Sequence, residues 1–167
     1  MKNAERAAKK LFLRLRERGM TLATAESCTG GLIAKLITDL PGSSSCFVGG
    51  CVTYTNEVKM ALLGVRAETI ALHTEVSNAC AEEMAKGARQ ALGCDIGVST
   101  TGYAGPGGGT ERDPVGTVYI GVAWEHGCFS YRLQAGQDRT REQVRAAAAA
   151  KAMELVTELL EGNEAST

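Results

Sequence analysis

Glycines stand at the ends of the helical-period segments of this chain, and that punctuation constrains the fold more than any other feature. Ala4, Ala8, Leu11 and Leu15 recur at helical spacing, and Gly19 stands where a helix C-cap belongs. The stretch "GGLIAKLITDL" reads as a second helix stopped by Pro41 and Gly42. A short helix "EVKMALLG", capped by Asn56, stops at Gly64, and a longer one opened by Ser77 runs through Leu92 to Gly93. Between these lie strand-like segments: "MTLATA", "CFVGGCVTYT" with a bulge or close backbone approach at Gly49 and Gly50, and the buried-type "CDIGVSTTG". "VGTVYIGVAW" and "CFSYRLQA" predict a hairpin across "EHG", and an alanine-rich helix runs from about Thr140 to Leu160. Helices alternating with strands over 167 residues, with no repeat and no linker, predict one α/β domain with helices on both faces of a sheet. The domain is expected to occupy residues 1–162, with 163–167 as a frayed tail.

Charge and cysteine usage narrow the function classes. The net charge of −1 offers no global basic field for nucleic acid or an anionic membrane, so any anion selectivity must be local. No apolar run approaches the ~18 residues of a membrane span. The "MKNAERAAKKLFLRLRERG" start lacks the apolar core of a signal peptide. The six cysteines form no CxxC pair and no zinc-type spacing with histidine, which predicts reduced thiols in a cytoplasmic protein and no metal site.

Two segments carry candidate chemistry. In "TATAESCTGG", Ser27 falls at the end of a strand just before a helix, where unpaired backbone N–H groups gather. Such a serine is either a helix cap or a nucleophile with an anion site around it; Gly30 and Gly31 would allow close approach of a ligand. The motif is not GxSxG, and His73 and His126 fall in a connection and an apparent turn, so a Ser/His/Asp triad has little support. Tyr54 and Lys59 could reach the same pocket if the chain turns at Asn56, or they could be a sheet-edge tyrosine and a solvated helix lysine. To serve as a base near neutrality, Lys59 must be depressed from about 10.4 by burial or a nearby cation, a cost of roughly 4 kcal/mol. Cys28 adjoins Ser27, but with no histidine placed beside it a buried structural thiol is the simpler reading. The second segment, "GYAGPGGGT", exposes several amides with little side-chain bulk, which suits a phosphate or sugar as well as a plain surface loop. It fits neither the dinucleotide fingerprint nor the Walker pattern. Arg139, Arg141 and Arg145 could add phosphate contacts or be solvated helix residues.

Together, "TATAESCTGGLIAKLITDLPGSSSCFVGGCVTYTNEVKMALLGV" and "STTGYAGPGGGTERDPVGTVYIGVA" closely resemble the nicotinamide-nucleotide amidase family, the domain also found as the C-terminal half of competence/damage-inducible protein CinA. The resemblance spans roughly Leu11 to Leu160 and looks like the stand-alone form. It implies a three-layer α/β/α sandwich with a mixed sheet, and hydrolysis of nicotinamide mononucleotide to nicotinic acid mononucleotide and ammonia. It further implies no cofactor and a homodimer or higher homo-oligomer. The family's nucleophile falls on Ser27, its lysine base on Lys59 and its tyrosine on Tyr54, the last two relaying the proton. Backbone amides of Cys28, Thr29, Gly30 and Gly31 are expected at the oxyanion. Gly105, Gly107, Gly108 and Thr110, with Arg141, are expected at the substrate. The sequence departs from the family at Tyr103, where members usually carry an aliphatic residue, and in the register of the arginines before the last helix. The alternatives are a non-catalytic partner-binding domain and a hydrolase of a different amide.

Overall fold

The computed structural model describes residues 1–162; the expected tail at 163–167 lies outside the described residues. Helix α1 (Lys2–Arg18) ends at Gly19 in the left-handed conformation. It is followed by β1 (Leu22–Glu26), α2 (Leu32–Thr38), β2 (Phe47–Val52), α3 (Asn56–Leu63), α4 (Ala67–His73) and α5 (Asn78–Leu92). The chain closes with β3 (Ile96–Gly102), β4 (Thr117–Trp124), β5 (Gly127–Gln134) and α6 (Arg141–Gly162). The five strands form one sheet in the order β2-β1-β3-β4-β5. β1 is parallel to β2 and β3, whereas β3, β4 and β5 pair antiparallel, so the sheet is mixed.

Alternation along the strands divides the core into two. Leu22, Ile96, Val98, Val118, Ile120 and Val122 face a cluster built with α1, α2 and α6. Ala23 and Ala25 point the other way, toward Leu63 of α3 and Cys80, Met84 and Ala88 of α5. Helices therefore cover both faces, as the pattern predicts. On the second face α5 lies very close to the sheet: a Cβ on Gly97 would meet the Ala85 carbonyl, and one on Gly121 the Ala81 carbonyl. Alanine-rich α6 buries Val144, Ala148, Ala149, Ala152 and Met153 on the first face.

Of the local details, the α3 cap and helix α4 differ from expectation. Thr55, not Asn56, caps α3: its backbone is extended and its Oγ1 accepts from the Val58 amide at 3.4 Å. The bulge expected around Gly49 and Gly50 is present: the β2 register slips at Val48, since Leu22 faces Phe47 but Ala23 faces Gly49, and a Cβ on Gly50 would collide with Thr24 Oγ1. Helix α4 fills part of the connection before Ser77 that the sequence left without an element.

The topology aims three chain ends at one place. Because β1, β2 and β3 are parallel, their carboxyl ends lie side by side, with Glu26 facing Val52 on one flank and Thr100 on the other. Ser27 leaves β1, Thr53 and Tyr54 leave β2, and the glycine-rich loop leaves β3 at that same edge. Ligand crevices of open α/β sheets form outside such ends.

Candidate functional site

A cavity of about 210 Å³ opens at this edge, lined among others by Ser27, Cys28, Tyr54, Lys59, Gly105 and Arg141. Ser27 is 8% exposed, and its amide donates to the Thr100 carbonyl at 2.9 Å, which fixes the turn to β3. Lys59 rises from the first turn of α3 and is 1% exposed. Its Nζ donates to Ser27 Oγ at 3.0 Å and to the Thr53 carbonyl at 2.9 Å. Burial depresses the Lys59 ammonium below its ordinary 10.5, while nearby groups including Glu75 act in the opposite sense. The geometry sets a serine hydroxyl within hydrogen-bond reach of a buried amine.

Cys28 is buried, and that burial pushes its thiol up to about 12, so it stays protonated. Neither histidine lines the Ser27 cavity. His126 sits exposed beside Glu125 in the β4–β5 turn, and His73 borders a neighbouring cavity of about 300 Å³.

The turn after Ser27 is held from inside by Glu26, the last residue of β1. Its carboxylate is 1% exposed. Oε2 accepts from Thr29 Oγ1 at 2.7 Å, from the Gly31 amide at 3.1 Å and from the Ile33 amide at 3.0 Å; Oε1 accepts from the Ala34 amide at 2.9 Å. An anion belonging to the protein thus occupies the N-terminus of α2. This corrects the expectation for Gly30 and Gly31: the Gly30 amide donates to the Ser27 carbonyl and the Gly31 amide to Glu26, so neither can serve an oxyanion. The Thr29 side chain is also turned inward, bonded to Glu26 and Thr100. The amides of Cys28 and Thr29 have no oxygen acceptor among the described residues. The signal for Glu26 was available, since an acid shortly ahead of a helix start can fold back onto it.

Tyr54 is 58% exposed, and its hydroxyl accepts from Arg141 Nη2 at 2.7 Å rather than meeting Ser27 or Lys59. Arg141 Nη1 also donates to the Gly105 carbonyl at 2.7 Å, tying α6 to the glycine-rich loop. The arginine register resolves accordingly. Arg141 faces the cavity, Arg145 donates to the Thr29 carbonyl at 2.8 Å, and Arg139 borders a cleft elsewhere with Met1 and Leu133. Gly105 and Gly107 line the Ser27 cavity. Gly108 packs beside the Tyr103 ring, and Thr110 lines the neighbouring cavity while bonding Asp113 within its own loop, so these two do not share the serine's pocket. Tyr103 borders both cavities.

With this geometry in hand, the comparisons with known proteins converge. The family model described as CinA C-terminal domain matches residues 4–160. The chain belongs to the CinA C-terminal domain family. A CinA-like protein of Synechococcus elongatus is 54% identical over 140 residues, covering 84% of this chain and 33% of that protein. A putative competence-damage inducible protein of Caldanaerobacter subterraneus subsp. tengcongensis is 47% identical over 150 residues, covering 90% of this chain and 36% of that one. The chain spans about a third of the length of these curated relatives. Among solved structures, competence/damage inducible protein CihA from Agrobacterium tumefaciens superposes with a TM-score of 0.90 at 37% identity, covering 94% of this chain and 95% of that one. A CinA superfamily protein from Klebsiella pneumoniae gives 0.90 at 35% identity, covering 95% and 98%.

Two further properties bear on the setting of the site. Among the described residues, no three His, Cys, Asp or Glu side chains converge to hold a metal, and no helix is long and apolar enough to cross a membrane. All six cysteines are free thiols.

Proposed function

We propose that the protein hydrolyses the carboxamide of nicotinamide mononucleotide to nicotinic acid mononucleotide and ammonia through an acyl-enzyme on Ser27. The observation that carries this reading is the buried Lys59 amine 3.0 Å from Ser27 Oγ in an open cavity. Ser27 Oγ attacks the amide carbon while neutral Lys59 takes the hydroxyl proton. The tetrahedral oxyanion is received by the free amides of Cys28 and Thr29. Lys59 then passes its proton to the nitrogen as the C–N bond breaks and ammonia leaves. Water enters by the reverse route: Lys59 takes its proton, hydroxide attacks the acyl carbon, and the proton returns to Ser27 Oγ.

The Arg141–Tyr54 hydrogen bond supports a different part for Tyr54. In this reading it holds Arg141 at the cavity mouth rather than sitting in the proton path, and Arg141 meets the substrate phosphate. Six unpaired thiols accord with a cytoplasmic setting. A homo-oligomer remains part of the proposal: Val48 and Val52 are half-exposed on the edge strand β2, with Leu62 and Leu72 exposed on α3 and α4. Light scattering on the purified protein measures that state directly.

The test of the activity is ammonia release from nicotinamide mononucleotide by the native protein beside Ser27→Ala. Release by the native protein alone supports the reading. No release from a folded native protein refutes it and turns the search to other amides.

A further inference from the structure

One charged group lining the Ser27 cavity is used neither by the hydrolytic pair nor by the fold. Glu75 stands in the link between α4 and α5, half-buried, and borders the cavity with Tyr103 and Arg141. Its main-chain carbonyl accepts from Thr101 Oγ1 at 2.7 Å, which fixes the backbone against β3. Its carboxylate has no hydrogen-bond or ion-pair partner among the described residues. Its charge favours the ammonium of Lys59 and opposes ionisation of Cys80 and Tyr103.

The backbone that presents Glu75 is strained. Thr74, immediately before it, has φ 66° and ψ 169°, the one non-glycine residue with positive φ among those described. That region is almost reserved for glycine, and holding a β-branched residue there costs on the order of 1–3 kcal/mol. A solvated surface glutamate needs no such backbone.

A half-buried carboxylate without a partner favours a cation in the space it faces. Lys59 cannot be that cation while it acts as a neutral base. Arg141 is already engaged by Tyr54 and Gly105. Tyr103 adds an aromatic surface at the same lining, a second feature suited to a cationic ring. We propose that Glu75 and Tyr103 form a subsite for a positively charged aromatic ring, which makes the cavity selective for an N-ribosylated pyridinium carboxamide over its neutral-ring counterpart. This rests on the amidase reading for the identity of the ligand. It adds the feature of the ligand that is read: the ring's charge, beside the phosphate met by Arg141.

The experiment compares two ligands that differ in ring charge, nicotinamide mononucleotide and its neutral dihydro form. Equilibrium binding of each is measured by calorimetry on the full chain carrying Ser27→Ala, which prevents turnover. The same pair is measured after adding Glu75→Gln, or Glu57→Gln as a control that removes an equal charge from exposed α3 outside the cavity. The charged ligand is expected to bind more tightly, with that preference falling about tenfold or more in Glu75→Gln and staying unchanged in Glu57→Gln. A fall below about threefold, an equal fall in both variants, or no binding of the charged ligand overturns the proposal. Ammonia release by the native protein is read separately. Turnover with an unaltered binding preference removes only the ring subsite, whereas no turnover removes the amidase reading itself.

Discussion

Replacing Glu26 with glutamine tests whether the turn carrying Ser27 is built from within. The carboxylate accepts three backbone amides and one hydroxyl at the start of α2, and it is 1% exposed. Glutamine keeps one oxygen. Placed where Oε2 now sits, that oxygen can still serve Thr29, Gly31 and Ile33. The amide nitrogen then faces the Ala34 N–H, donor against donor. Leaving one such group unsatisfied costs about 1–3 kcal/mol. Losing a negative charge at a helix N-terminus adds about 0.5–1 kcal/mol. The expected destabilisation is about 1.5–4 kcal/mol, read by urea unfolding at pH 7 from the fluorescence of the single tryptophan, Trp124. A loss below about 1 kcal/mol with an unchanged m-value refutes the claim that this carboxylate organises the turn.

The remaining predictions probe the site and the packing. Ser27→Ala is expected to abolish ammonia release in a chain that stays folded, at a cost of about 1–3 kcal/mol because buried Lys59 Nζ loses one of its two acceptors; residual turnover counts against Ser27 as the nucleophile. Because burial lowers the folded-state value of Lys59 from 10.5, the unfolded chain binds more protons between the two values, so this group makes stability rise with pH through that window. Urea unfolding followed from neutral pH up to 10.5 is expected to show that rise in the native protein and less of it in Lys59→Met, which also loses turnover; equal pH dependence in the two proteins contradicts it. Tyr54→Phe leaves the ring but frees Arg141, so KM is expected to rise several-fold with kcat nearly kept. A fall in kcat alone would return Tyr54 to the proton path. Gly121→Ala drives a methyl into the Ala81 carbonyl and is expected to cost about 1–3 kcal/mol or more in unfolding free energy, with little loss if α5 can shift.

Much of this architecture is local and therefore readable in one dimension. Gly19, Gly64 and Gly93 each end a helix in the left-handed conformation, a requirement set by neighbouring backbone atoms alone. Ser77 caps α5 through the Cys80 amide, as its place before the helical run predicts. The quoted motifs were sufficient for the family, and Ser27 with Lys59 followed from it. Their separation of 32 positions along the chain says nothing of distance. Their contact comes from parallel pairing of β1 with β2, which puts α3 over the carboxyl end of β1. Whether Lys59 is solvated or buried was equally open until that packing closed around it. The same holds for the amides after Ser27: sequence could point to a helix start rich in donors, but only the folded path of Glu26 shows which are already taken. The three arginines near α6 look interchangeable along the chain. The packing of α6 against the sheet brings Arg141 to the cavity, Arg145 to the Thr29 carbonyl and Arg139 elsewhere. Helix ends and strand alternation depend on interactions within a few residues, so the sequence determined them. Burial, pairing and the direction of a long side chain depend on contacts between distant segments, and only the tertiary structure decided those.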